Sequence, residues 1–119
     1  MDQINRYADI ITAVMREEAD VSFIGQQQRL QVVTACDRES GEFLLIMLGW
    51  ASNKEWHDSV LVHVRLLDGF VVVETDNIEE GIKSLLVEAG IPSDHIVSGM
   101  KYERMKTQYQ PAMAEAIAA

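Results

Sequence analysis

Apolar residues along this chain recur with two different periods, and the switch between them divides it into its elements. Ile4, Tyr7, Ala8, Ile11, Val14 and Met15 fall three and four apart, and Glu18 continues the same stripe. That spacing predicts one amphipathic helix from about Gln3 to Ala19. Asp2 and Asp9 sit toward its positive end, as the helix dipole prefers. Residues 21–28 read as a loop broken at Gly25. From Leu30 the period drops to two. Leu30, Val32, Thr34 and Cys36 alternate with Gln31, Val33 and Ala35, the pattern of a half-buried strand. Residues 37–41 supply a turn, and Phe43 to Leu48 is apolar on both faces, as a strand deep in a sheet would be. Gly49 and Trp50 end that run, and Ala51 to Glu55 is a polar loop.

The strongest local signal is Asp68-Gly69 between the alternating runs 60–67 and 70–75, a two-residue hairpin turn. With so short a loop the expected register sets Leu67 against Phe70, Arg65 against Val72 and His63 against Glu74. Val60, Val62, Val64, Leu66, Val71 and Val73 then form a purely apolar side. Leu61, His63, Arg65, Leu67, Phe70, Val72 and Glu74 form a mixed side. A second helix follows, with Asp76 as cap, Glu79 three residues on as in a capping box, and a stripe of Ile78, Ile82, Leu85, Leu86 and Ala89. Gly90 ends it and Pro92 prevents its continuation. Ser93 to Ile96 is a turn leading into residues 97–100. The segment 101–119 reads as a tail in which Pro111 opens a short helix, Ala112 to Ala118. The expected fold is a single α+β domain spanning 1–119: two layers, a four-stranded antiparallel sheet with helices packed on one face.

Composition narrows the function classes. The 119 residues carry a net charge of −9, from 19 acidic and 10 basic side chains. Nucleic-acid binders neutralise phosphates with basic residues, so direct nucleic-acid binding is not expected. The acidity suits solubility or a basic protein partner. Cys36 is the single cysteine, which excludes an intramolecular disulfide and fits a reducing compartment. No apolar run approaches the ~18 residues of a membrane span, and the first residues lack the pattern of a signal peptide. A cytoplasmic location without membrane attachment is expected.

Candidate chemistry is sparse. His63 facing Glu74, with Arg65 nearby, has the residue types of a general base oriented by a carboxylate, but with no nucleophile beside it the pair reads first as a cross-strand polar pair. His57-Asp58 and Asp94-His95 are sequence neighbours without a third ligand, so no metal or cofactor is expected. The glycines stand apart and form no phosphate loop. Trp50 and Trp56 flank the polar loop and are suited to core-edge packing or to anchoring an interface.

Leu44-Leu45 with Gly49-Trp50, then Val62-His63-Val64, Asp68-Gly69, Gly81-Ile82, Leu85-Leu86, Ala89-Gly90-Ile91-Pro92 and Asp94-x-Ile96-Val97-x-Gly99 occur in an order and spacing that resembles the XisI family. These are the cyanobacterial fdxN-element excision controlling factors. The resemblance covers nearly the whole chain, although Phe70 to Glu74 replaces the family's K-I-W-I-Q, and residues 104–109 match its tail pattern only loosely. It implies a non-catalytic accessory factor for excising a DNA element during heterocyst differentiation, acting with an XisH-like protein and a recombinase. Two readings therefore stand side by side. One is a regulatory binding protein, a homodimer through the mixed sheet face or its edge, with Leu61, His63, Arg65, Leu67, Phe70, Val72, Glu74 and Trp50 as the interaction face. The other is a small ligand-binding protein or enzyme built on His63, Glu74 and Arg65.

Overall fold

The computed structural model describes residues 3–23, 29–51 and 54–109. The helix proposed for Ala112 to Ala118 and the Gly25 breaker lie outside them. The first helix, α1 (Gln3–Phe23), runs further than its apolar stripe. It buries Tyr7, Ala8, Ile11, Val14 and Met15, the positions that the three-and-four spacing places on one face. Strands β1 (Arg29–Asp37), β2 (Glu42–Trp50), β3 (Trp56–Leu67) and β4 (Phe70–Asp76) follow in a meander, each antiparallel to the one before. A crossover then carries α2 (Ile82–Glu88) and a 3-10 turn, Ser93–His95, before β5 (Ile96–Ser98) and α3 (Gly99–Tyr109).

Among the described residues the sheet has five strands in the order β1-β2-β3-β4-β5, and β5 lies parallel to β4. This corrects the expectation of four antiparallel strands. A three-residue strand is too short to show alternation, and its partner is reached only through the intervening helix. The expectation that the helices share one face is corrected as well. Val71 and Ile96 join the main core beneath α1 and α2. Their neighbours Val72 and Val97 point the other way and pack with Tyr102 of α3. Because side chains alternate along a strand, α3 must lie on the opposite face of the sheet.

The main core draws Phe43 and Leu45 from β2, Val62 and Val64 from β3, Ile82 and Leu86 from α2, and Ile91 beyond it. Fully burying each of these side chains is worth roughly 1.5–3 kcal/mol. Asp76 does cap α2, but from a distance. Its Oδ2 accepts the Ile82 N–H at 3.0 Å, and the helix starts at Ile82 rather than directly after the cap. Residues 77–81 spend the gap in a turn, so Glu79 completes no capping box. At the start of α3 the Ser98 hydroxyl accepts the Lys101 N–H at 3.1 Å, an N-cap that sets where the helix begins.

The β3–β4 turn is of the expected kind, with φ of +53° at Asp68 and +83° at Gly69, the left-handed pair of a two-residue hairpin loop. Tyr102 donates its hydroxyl hydrogen bond to Asp68 and so ties α3 to this turn. That bond, together with some burial, holds the Tyr102 phenol above its usual range. At the β1–β2 turn Gly41 also has positive φ, +73°, and a Cβ there would stand 2.7 Å from the Leu66 carbonyl oxygen. Gly69 has comparable φ but open space around it. Both Gly→Ala changes should therefore cost backbone strain of about 1–2 kcal/mol. Gly41→Ala should lose roughly 1 kcal/mol more, because the obstructing atom belongs to the backbone. Urea midpoints of the two variants check the order, and equal destabilisation would show that the Leu66 contact is immaterial.

Candidate interaction face

Two irregularities decide which side chains reach the face that α1 and α2 leave uncovered. Between β2 and β3, Leu45 pairs with Val62 and Ile46 with Val60, so Leu61 is the extra residue of a bulge. Leu61 consequently packs against the main core on the helix side, while Val60 stands opposite Ile46 and is 40% exposed. Both assignments reverse the simple alternation. Between β3 and β4, Val64 pairs with Val73 but His63 pairs with Thr75, which leaves Glu74 as the extra residue. The expected pairing of His63 with Glu74 is therefore wrong by one position. The turn sets the register only as far as Val64, since a bulge shifts everything beyond it.

His63 finds its carboxylate on the other neighbouring strand. Its Nε2 donates to Glu42 Oε1 at 2.6 Å, and Arg65 Nε donates to Glu42 Oε2 at 2.9 Å. Arg65 also reaches Glu74 Oε2 with its Nη1 at 3.5 Å. Glu42, the first residue of β2, is directly opposite Arg65, so both ends of its carboxylate are engaged by β3. Burial is the largest single influence on this carboxyl and opposes its ionisation. The hydrogen bonds from His63 and Arg65 together outweigh it and hold Glu42 below the usual carboxylate range. The same bond from Glu42 raises Arg65 above its ordinary value. Glu74 in turn lies against the start of α3, where a Cβ on Gly99 would meet its Oε1 at 1.9 Å. Gly99 is what allows the helix so close. Glu42 was missed at the sequence level because its partners lie 21 and 23 residues further on and only the β2–β3 register joins them.

The other candidate residues divide in two. Val72 is fully buried, and Leu67 and Phe70 pack with it under α3. The Phe70 and Tyr102 rings meet edge to face at 6.5 Å. These three seal the β4–β5 end of the sheet and do not form open surface. The opposite end is different. Trp50 and Trp56 pair across β2 and β3, with ring centroids 5.2 Å apart in an edge-to-face arrangement, and remain 46% and 55% exposed. Cross-strand pairing continues their face through Leu48, then Ile46 between Val33 and Val60, then Leu44 between Ala35 and His63. An apolar strip thus leads from the tryptophans to the Glu42–His63–Arg65–Glu74 cluster. His57 pairs with Gly49 away from this cluster. His95 accepts a hydrogen bond from Tyr7 at the start of α1, so the three histidines do not converge.

The fold defines an α+β domain with a five-stranded open sheet, sealed by two helices on one face and partly covered by a third on the other. The chain belongs to the XisI protein family, whose model matches residues 1–112. The structure resembles the crystal structure of a XisI-like protein from Anabaena variabilis ATCC 29413, with a TM-score of 0.69, 18% identity, and 80% of this chain and 84% of that one covered. It is also similar to the fdxN element excision controlling factor XisI from the same organism, with a TM-score of 0.65, 20% identity, and coverage of 81% and 90%. No curated protein matches the chain.

The cluster has a pH signature. A carboxyl held low in the folded state contributes stability above its unfolded range and loses it as pH falls through the folded value. Glu42→Gln should lower the unfolding free energy near neutral pH by about 1 kcal/mol or less, since the side chain is partly solvated. The gap from wild type should narrow as the solution is acidified through the carboxylate range. Chemical denaturation at several pH values checks this, and a gap that widened in acid would contradict it.

Proposed function

We propose that this protein is a non-catalytic regulatory factor that controls excision of a DNA element by docking a protein partner on its open sheet face. The observation that carries the reading is the uncovered strip from Trp50 and Trp56 through Ile46 and Val60 to the Glu42–His63–Arg65–Glu74 cluster. Exposed aromatic pairs beside apolar rows, rimmed by polar groups, are the composition of protein-binding surfaces. Membership of the XisI family supports the role, and the excision controlling factor among the similar structures gives it a setting. An XisH-like, nuclease-like protein and a recombinase are the partners this setting suggests.

The alternative of a small enzyme or ligand-binding protein gains little from the geometry. His63 and Arg65 both spend their hydrogen bonds on Glu42, an arrangement that fixes charges on a sheet surface and activates no nucleophile. With a net charge of −9, the protein is steered toward basic surfaces. Such association weakens as salt screens it, and DNA specificity falls to the partner.

Val60→Asp places a charge in the middle of the open strip without touching the main core. The variant should remain folded by circular dichroism, yet lose at least tenfold in affinity for an XisH-like partner in a pull-down or by calorimetry. In mobility-shift assays near physiological salt the purified protein alone should leave duplex DNA unshifted. Full partner affinity in Val60→Asp, or sub-micromolar binding of duplex by the protein alone, would overturn the reading.

A further inference from the structure

We propose that two copies of this chain join edge to edge through β1, antiparallel about a two-fold axis at Val33, so that the two sheets become one. This rests on the reading above that the protein works through protein contacts, and it assigns the edge to self-association and the open face to the partner. β1 is an outer strand of the sheet. It is nine residues long, pairs with β2 without a register shift, and has no other strand partner among the described residues. Edges of this kind are normally blunted by proline, lysine, a bulge or shortness. Residues 29–37 contain neither proline nor lysine. The opposite edge, β5, is only three residues long and leads straight into α3.

The strand is complementary to itself. Pairing about Val33 sets Arg29 opposite Asp37 of the second copy, Leu30 opposite Cys36, Gln31 opposite Ala35 and Val32 opposite Thr34. No two like-charged positions are set opposite one another. Any other two-fold register pairs fewer residues. Full pairing over this length adds about eight to ten inter-chain hydrogen bonds.

The helix side of the edge offers space for the same partner. A cavity of about 290 Å³ lies along it, lined by Asp9, Thr12, Ala13 and Arg16 of α1 with Cys36 and Arg38. The Thr12 hydroxyl is buried there with no hydrogen-bond partner among the described residues. Leu30 and Cys36 share the helix-facing parity of Val32, so Leu30 of the second copy would arrive beside Cys36 at the mouth of this cavity. α1 packs on β1 and β2. The two copies of α1 would then face one another across the two-fold axis, and Thr12 and Ala13 present small side chains there.

Leu30→Cys tests the register from the helix side. Within one chain, positions 30 and 36 of a strand are about 20 Å apart, too far for a disulfide. Across the proposed axis their Cα atoms lie about 4.5–5.5 Å apart. Mild oxidation should convert Leu30→Cys into a covalent dimer through native Cys36, while the wild type stays uncrosslinked. The double variant Gln31→Cys, Ala35→Cys should give the same result from the other face. Light scattering of the wild type at micromolar concentration should give twice the 13.4 kDa chain mass, and Val60→Asp should keep that mass. A monomeric wild type, a dimer in which both cysteine variants stay reduced, or a dimer dissolved by Val60→Asp would overturn the edge assignment. Val60→Asp that stays dimeric but still captures the partner would overturn the functional reading and leave the edge dimer standing.

Discussion

The two-residue period of an extended strand governs this molecule, and the two places where it is interrupted decide what caps α2 and what stands beside Ile46 on the open strip. Along β2, β3 and β4 a strict alternation would put every second residue on one face. A bulge at Leu61 and another at Glu74 each shift the count by one. The first turns Leu61 toward the core and Val60 toward the open strip. The second moves Asp76 onto the helix side, where it caps α2, and leaves Glu74 free to meet Arg65 and the start of α3. A one-residue slip reverses the face of everything beyond it. Without these bulges α2 would lose its cap and Val60 its place on the open strip.

The two faces of the sheet consequently do different work. On the helix side Phe43, Leu45, Val62, Val64 and Val71 are fully buried beneath α1 and α2, and this layer supplies most of the stability. On the other side, among the described residues, only the β4–β5 end is sealed, by Tyr102 against Val72 and Val97. The rest presents an aromatic pair, an apolar strip and a carboxylate held between a histidine and an arginine. Such a surface rewards the burial that a partner provides, whereas a chain working alone would gain by replacing those apolar residues with polar ones.

Elements with several periods of regular spacing were legible in the sequence. The stripe of α1 from Tyr7 to Met15, the alternation of β1 and the Asp68-Gly69 turn all appear where their patterns place them. Boundaries and bulges were not, because they are decided by tertiary contacts. Nothing in the run from Val60 to Leu67 marks Leu61 as an extra residue; the core does so, by having room for it. β5 and α3 were hidden for a related reason. Three residues carry no period, and α3 is anchored by one face only, through Tyr102 and Met105. The Ser98 cap was the signal available for it. Of the candidate surface residues, His63, Arg65, Glu74 and Trp50 lie on the uncovered face. Leu67, Phe70 and Val72 were assigned to the right side of the sheet, but that part is roofed by a helix not foreseen.

On the proposed function a protein partner docks on the uncovered strip, and the chain holds its own reporters of that strip. Its two tryptophans, Trp50 and Trp56, stand together on it. Fluorine NMR of protein labelled with 5-fluorotryptophan, titrated with an unlabelled XisH-like partner, reads that surface directly. Both resonances should shift and lose their solvent-isotope sensitivity as the complex forms. A complex that forms with both resonances unchanged would contradict the proposed function.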